Sequence, residues 1–242
     1  MAAELLYGIN TAEEVLKAGR RRVLRLLVSR DEKSRRVNEL AALARKAGVR
    51  VEFCDPRALE RLAAGGNHQG VVLEAEPPRK LSLEEALASE KDLKRTVWAA
   101  LDGITDPMNL GAIVRSAACL GVSTVVLPER RSASLTGAAQ KTASGAAERV
   151  NVVEVVNLNQ TVIKLKEKGF WVYGMDMGGK PLPQVDFTLP ALVIIGSEGE
   201  GLHQKTREHC DEIVSIPQKG GVESLNASNA AAVVFYELSK RI

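Results

Sequence analysis

Three short segments carry the residue types that could bind and act on a polar ligand. The first runs Leu101-Asp102-Gly103-Ile104-Thr105-Asp106-Pro107-Met108-Asn109-Leu110-Gly111-Ala112-Ile113-Val114-Arg115-Ser116-Ala117, with an amide at Asn109 and a guanidinium six residues on at Arg115. The second, Ile194-Ile195-Gly196-Ser197-Glu198-Gly199-Glu200-Gly201-Leu202, is an apolar run that breaks into glycines and carboxylates. The third, Ile216-Pro217-Gln218-Lys219-Gly220-Gly221-Val222-Glu223-Ser224-Leu225-Asn226-Ala227-Ser228, gathers hydroxyls and an amide behind a glycine pair. Glycine lets a backbone approach a ligand closely, and arginine is a permanently charged, multidentate donor. Each residue also has a plainer reading. Asn109 and Ser224 are good helix caps, Asn226 and Ser228 are ordinary first-turn polars, and Arg115 could serve a surface ion pair.

Other chemistries fail on spacing. Gly174 to Lys180 nearly spells a phosphate-binding loop, but Pro181 stands where a magnesium-binding hydroxyl is needed, and Pro183 follows. Gly196 to Gly201 has the spacing G-x-x-G-x-G, not the dinucleotide fingerprint. No G-x-S-x-G elbow occurs. The three cysteines, Cys54, Cys119 and Cys210, never form Cys-x-x-Cys, and His68, His203 and His209 do not cluster, so no metal site is expected.

The elements that must hold the three segments can be read from periodicity and punctuation. In the first 76 residues, Thr11 to Glu14 reads as a capping box before a helix ending at Gly19. Val23–Val28 reads as a strand, Ser34–Ala47 as a helix stopped by Gly48, and Val49–Phe53 as a strand. Asp55-Pro56 opens a short helix through Leu62, and Gly70–Ala75 is a further strand. Pro77-Pro78 and the charged residues after it suggest a linker over 77–95, with a short helix at Leu83–Ala88. From Thr96 strands and helices alternate: strands at Val97–Leu101, Ser123–Leu127, Val152–Val156, Phe170–Tyr173, Leu192–Ile195 and Ile213–Ile216. Helices are expected at Leu110–Leu120, within Leu135–Ala147, at Leu158–Lys168 and at Leu225–Leu238. Such alternation implies an α/β fold with a mostly parallel sheet, whose ligands bind at the carboxyl ends of the strands.

Composition sets the frame. The 242 residues are 45% hydrophobic and 26% charged, enough apolar material for a core and far from a disordered chain. No apolar run reaches membrane-spanning length, and the N-terminus has no signal-like stretch, so a cytoplasmic protein is expected. The net charge of +3 is uneven: residues 1–76 hold 14 basic and 11 acidic side chains, and residues 96–242 hold 14 and 15. Arg20, Arg21, Arg22 and Arg25, and then Arg30, Lys33, Arg35 and Arg36, form two dense basic stretches that point to an anionic partner such as nucleic acid, or to a solvated helix face.

In order and separation, the three segments resemble the signature motifs of the SpoU (TrmH) family of SPOUT RNA methyltransferases. Asn109 and Arg115 match the first motif; Gly196 to Leu202 match the second; Ile216, Pro217, Gly220, Ser224, Leu225, Asn226 and Ser228 match the third. The N-terminal segment, with Tyr7-Gly8 and Asn67-His68-Gln69-Gly70-Val71, looks like the L30e-type substrate-binding domain fused to many members. The resemblance implies an L30e-like RNA-binding domain at 1–76, a linker at 77–95, and a methyltransferase domain at 96–242 with a deep trefoil knot. It implies methyl transfer from S-adenosylmethionine to a ribose 2′-hydroxyl, by a homodimer without metal or membrane association. Asn109, Arg115, Glu198, Ser224 and Asn226 would be catalytic. Gly196, Ile216 and Leu225 would contact the cofactor, with Met175, Gly201 and Gln218 as further contacts, and Arg20, Arg21, Arg22 and Arg25 would bind RNA. The two-domain layout favours ribosomal RNA of the large subunit, at a guanosine. Transfer RNA is the first alternative, and a non-catalytic RNA-binding ribosome-assembly factor the second.

Overall fold

The computed structural model describes residues 3–242 except 131, 136, 198, 200, 222 and 223, and gives no side-chain placement at 137 and 138. The chain divides into two compact units, Met1–Arg79 with Ser144–Arg149, and Lys80–Ala143 with Val150–Ile242.

The first unit is a four-stranded sheet built from β1 (Glu4–Tyr7), β2 (Val23–Ser29), β3 (Arg50–Cys54) and β4 (Val71–Ala75), in the order β1-β4-β2-β3. Strands β1 and β2 each run antiparallel to β4, and β3 runs parallel to β2. Helices α1 (Ile9–Ala18) and α2 (Arg35–Lys46) cover one face, where Val15, Leu26, Val28, Val37, Leu40 and Leu73 form the core. The short α3 (Pro56–Leu62) covers the other face through Leu59, Leu27 and Val72. Two caps agree with the sequence reading: the Ser34 hydroxyl accepts from Val37 N, and the Asp55 carboxylate accepts from Arg57 N ahead of Pro56. Helix α1 departs from it. It starts at Ile9, two residues before the expected capping box, with Gly8 as its cap. The Gln69 side-chain oxygen accepts from Ile9 N at 3.0 Å, so a residue 60 positions away supplies what a local cap would have. Strand β1, which periodicity over so short a stretch does not reveal, pairs along the full length of β4.

The second unit is a six-stranded, all-parallel sheet. Its strands are β5 (Val97–Leu101), β6 (Thr124–Pro128), β7 (Asn151–Val155), β8 (Trp171–Pro181), β9 (Ala191–Ile195) and β10 (Glu212–Ser215), in the order β10-β8-β9-β5-β6-β7. Both faces are covered, so the central strands are apolar at every position; all five residues of β5 and of β9 are buried. On one face Trp98, Ala100, Ile194 and Val172 meet α4 (Leu83–Ser89) and α7 (Leu158–Glu167). Helix α5 (Pro107–Cys119) packs on α6 (Gly137–Ala143) and on α9 (Ala227–Ser239), and α9 also contacts β9. Gly111 is required by the first of these contacts: a Cβ there would lie 2.4 Å from the Ala139 carbonyl oxygen.

Two stretches read differently in the structure. Residues expected to be a linker are folded: Leu83 and Ala86 of α4 are buried in the core, and the Glu90 carboxylate accepts from the Trp98 indole at 2.7 Å and the Ser123 hydroxyl at 2.6 Å. The phosphate-loop look-alike, Gly174 to Lys180, lies inside β8, where Gly179 packs against the Ile213 carbonyl of β10. No helix of the described residues is long and apolar enough to cross a membrane.

Candidate active site

The carboxyl ends of β5, β9, β8 and β10 bring the three sequence segments to one edge of the second unit's sheet. At β5, Asp102 N donates to Ile195 O of β9 at 2.8 Å. The buried Asp102 carboxylate then accepts from His203 N at 3.0 Å and meets His203 Nδ1 at 2.8 Å. Gly103, at φ +78°, lets the chain turn beside the His203 ring, which an added Cβ would approach to 3.2 Å. The segment after β9 is thereby tied to the end of β5.

Helix α5 is capped by Asp106, whose carboxylate accepts from Met108 N and Asn109 N, with Pro107 in the first turn. This corrects the expectation that Asn109 would be the cap. Its amide is instead available for a longer-range contact: Asn109 Oδ1 accepts from Asn226 Nδ2 at 3.0 Å. Asn226 caps α9 with its own Oδ1, which accepts from Ser228 N at 2.9 Å and Ser228 Oγ at 2.6 Å. A single amide thus joins the first motif to the third, and the cap role expected of Ser224 falls to Asn226. Arg115 is exposed on α5, about 9 Å further along the helix axis. Ser224 is exposed one turn before α9. Glu198, expected in the same constellation, lies outside the described residues.

The segment after β9 doubles back on itself. Ser197 N donates to Gly201 O at 3.0 Å, and Gly201 N to Ser197 O at 3.2 Å. Gly196 faces this turn so closely that a Cβ would sit 2.3 Å from the Gly201 carbonyl carbon. Gly201, at φ +66°, leaves room for the Asp176 carboxylate, which pairs with Arg207 of α8 (Gln204–His209). Met175 is 8% exposed, in register with Ile195, and so lies under the edge; Met177, two residues on, is 68% exposed. Ile216 is half-buried, Leu225 is 37% exposed, and Gln218 donates to Ile216 O within its own loop. Cys210, behind Gly174, is a half-buried thiol pushed up to about 12 by desolvation, with the Asp211 charge adding to the rise.

In the first unit, the basic stretch is answered by carboxylates. The Arg21 side chain is 1% exposed and pairs with the buried Glu148 and with Glu4 at 2.8 Å, so its charge is taken up inside the unit. Arg25 bonds Glu74 at 2.5 Å and Glu52 at 3.1 Å, which hold its guanidinium above its ordinary range. Arg22 pairs with Glu76 at 3.4 Å, and Arg20 is exposed. A basic surface across all four is not what the structure presents: Arg21 is withdrawn from it, because its partner Glu148 lies 127 residues away and could not be read locally. Asp102–His203 was likewise invisible to spacing, at 101 residues apart. Asp106-Pro107 is the miss that had a signal, since Asp before Pro is a helix-start signature.

Comparison with known proteins defines the class. Residues 96–236 match the SpoU rRNA Methylase family and residues 5–81 match the family described as RNA 2'-O ribose methyltransferase substrate binding. The chain belongs to the SpoU family of RNA methyltransferases, enzymes that use S-adenosylmethionine. It is 40% identical over 240 residues, 98% of this chain and 76% of the relative, to an uncharacterized tRNA/rRNA methyltransferase of Mycolicibacterium gilvum. It is 37% identical to the 23S rRNA (guanosine-2'-O-)-methyltransferase RlmB of Yersinia pestis, covering 99% of this chain and 98% of that one. Among solved structures it resembles the SpoU methyltransferase AviRb from Streptomyces viridochromogenes in complex with AdoMet. That likeness has a TM-score of 0.81 and 26% identity, over 99% of this chain and 90% of that chain.

The edge described above suits such a cofactor. A nucleoside needs apolar contact and unobstructed backbone, and the distal part of β8 with the loops after β9 and β10 supplies both. Leu225 and Met177 are exposed apolar side chains, and a Cβ added at Gly199, Gly220 or Gly221 would meet nothing within 4 Å.

Proposed function

We propose that this protein methylates a ribose 2′-hydroxyl of a guanosine in 23S ribosomal RNA, in the cytoplasm. The observation that carries the reading is the near end-to-end match, at 37% identity, to a relative named for that reaction. The three motifs at one sheet edge support it, because a non-catalytic RNA-binding factor would have no need of the Asn109–Asn226 link. Transfer RNA is the alternative substrate, since the name of the 40% identical relative carries both RNAs.

When bound, S-adenosylmethionine supplies a methyl group already activated by its sulfonium. The chain's task is to hold the cofactor, align the hydroxyl and manage its proton. Gly196, Ile216 and Leu225 hold the cofactor, with Gly201 and Gln218 shaping the neighbouring loops and Met175 packing beneath them. A guanidinium is a donor and not a base, so Arg115 clamps a phosphate or steadies the negative charge that develops on the ribose oxygen, and the proton leaves to water or another group. Asn109, Asn226 and Ser224 set the position of Arg115 and the ribose, and Glu198 is the further catalytic residue of the second motif. The chain folds with the family's trefoil knot and works as a homodimer, with exposed Val233 and Tyr236 on α9 at the interface.

Mapping of 2′-O-methylation in ribosomal and transfer RNA, with and without the gene, tests the reading. A single 23S guanosine that loses its methyl supports it; an unchanged 23S map with a lost transfer-RNA methyl replaces it with the alternative. Sedimentation tests the dimer, which a 26 kDa species at micromolar concentration would exclude.

A further inference from the structure

With Arg21, Arg22 and Arg25 all held by carboxylates, the cationic surface of the first unit has to lie elsewhere. Its topology shows where. Strands β1, β2 and β3 all run the same way, so Tyr7, Ser29 and Cys54 finish at one edge, and the loop entering β4 reaches that same edge. That loop is firmly tied. Ser29 N donates to Gly70 O at 2.9 Å, Gln69 takes the Ile9 N–H, and a Cβ on Gly66 would lie 2.5 Å from the Tyr7 ring. It also holds Ala64 at φ +46° and Gln69 at φ +53°, where residues other than glycine are costly.

Within this loop His68 Nδ1 accepts from Gly70 N at 3.0 Å. The neutral ring therefore carries its proton on Nε2, for which no acceptor is found among the described residues. The adjoining loop carries both signs: Asp31 and Lys33 are exposed, with Arg30 before them and Arg36 after. Glu32 lies against Gly70 and turns its carboxylate to Ser34 N at 2.9 Å. Lys33 is exposed with no carboxylate partner among the described residues. Arg36, at the start of α2, holds the Asn10 amide oxygen at 2.6 Å, so its charge is bonded but not neutralised.

We propose that this edge, formed by Asn10, Lys33, Arg36 and His68, is the surface with which the first unit grips RNA. Its cations, Arg30, Lys33 and Arg36, outnumber Asp31 and Glu32 by one, and the loop beside them is held by backbone and side-chain bonds before binding, as recognition of a polyanion favours. Lys33 and Arg36 take phosphates, and the His68 Nε2–H donates to a phosphate or base oxygen between them. The proposal rests on the function proposed above, and moves the RNA contact from the Arg20–Arg25 stretch to the far end of β2.

The test measures binding of the full-length protein to protein-free 23S ribosomal RNA across a salt series, with S-adenosylmethionine binding followed in parallel by calorimetry. Lys33→Glu should weaken RNA binding about tenfold or more and flatten the salt dependence, and His68→Ala should weaken it several-fold. Arg45→Glu makes the same charge change at the other end of α2 and should stay within about twofold of the parent. Cofactor affinity should be unchanged in all three. Lys33 is exposed, so its variant reads the surface even if His68→Ala disturbs the loop. The proposal is overturned if Lys33→Glu binds like the parent, or if Arg45→Glu loses as much. A parent protein that neither binds nor methylates the RNA removes the proposed function as well, a result distinct from an active parent whose edge variants are unaltered.

Discussion

Each unit gathers polar residues at the carboxyl ends of parallel strands, but the two neutralise them differently. In the second unit the residues meet through neutral amides and helix caps: Asn226 to Asn109, Asn226 to Ser228, Asp106 to the first turn of α5. Such contacts fix geometry, and Arg115 follows on an exposed position of α5. In the first unit the arginines nearest in sequence are spent on carboxylates, one of them in a buried pair. The Arg20–Arg25 cluster therefore does not make a charged surface as a whole, because its partners come from elsewhere in the unit.

The comparison can be broken in graded ways. Arg115→Ala carries the largest expected effect. Single-turnover methyl transfer should fall by about 10²-fold or more while S-adenosylmethionine affinity holds; a variant with parental turnover would mean that the exposed cation of the second unit is only a surface charge. Glu148→Ala should be the most damaging change in the first unit, since it leaves the Arg21 guanidinium, 1% exposed, with Glu4 alone. Breaking a buried pair costs about 3–5 kcal/mol, read as a shift in the urea midpoint; a shift equal to that of an exposed pair would show that Arg21 reaches water. Gly196→Ala should cost about 1–3 kcal/mol and weaken cofactor binding, because the methyl meets the Gly201 backbone, and calorimetry with unaltered affinity would separate the turn from the cofactor. Asn226→Ala removes a cap worth about 1 kcal/mol and breaks the bond to Asn109, so activity should drop more than stability does. At the small end, Arg22→Ala removes an exposed pair and should change the midpoint by less than about 1 kcal/mol.

The cysteines offer a check by titration. Burial raises Cys210 to about 12 and also raises Cys54, so both stay thiols at pH 8. Cys119 is exposed, and iodoacetamide at that pH should label it first. Prior labelling of Cys210 would show that the back of Gly174 opens.

Much of the fold was legible because its signals are local. Strand β5 falls on Val97–Leu101 as its apolar run indicates, and the caps at Ser34 and Asp55 announce α2 and α3. What escaped is what depends on distant partners. The start of α1 is set by Gln69, β1 exists because β4 is there to pair with, and α8 is only six residues long and is tied in by Asp102 and Asp176. In the site, residue types and spacing pointed to Asn109 and Asn226, but not to their being bonded to each other, nor to His203 lying on Asp102.

The buried partner of Arg21 has a consequence in time. Glu148 belongs to the first unit, yet it is made 69 residues after that unit's other sequence ends at Arg79. At ordinary translation rates that is a delay of roughly several seconds. During it the emerging unit must carry a guanidinium whose best counter-charge does not yet exist. The first unit is thus begun early and completed late, and a fragment ending at Arg79 is chemically the intermediate that every newly made copy passes through.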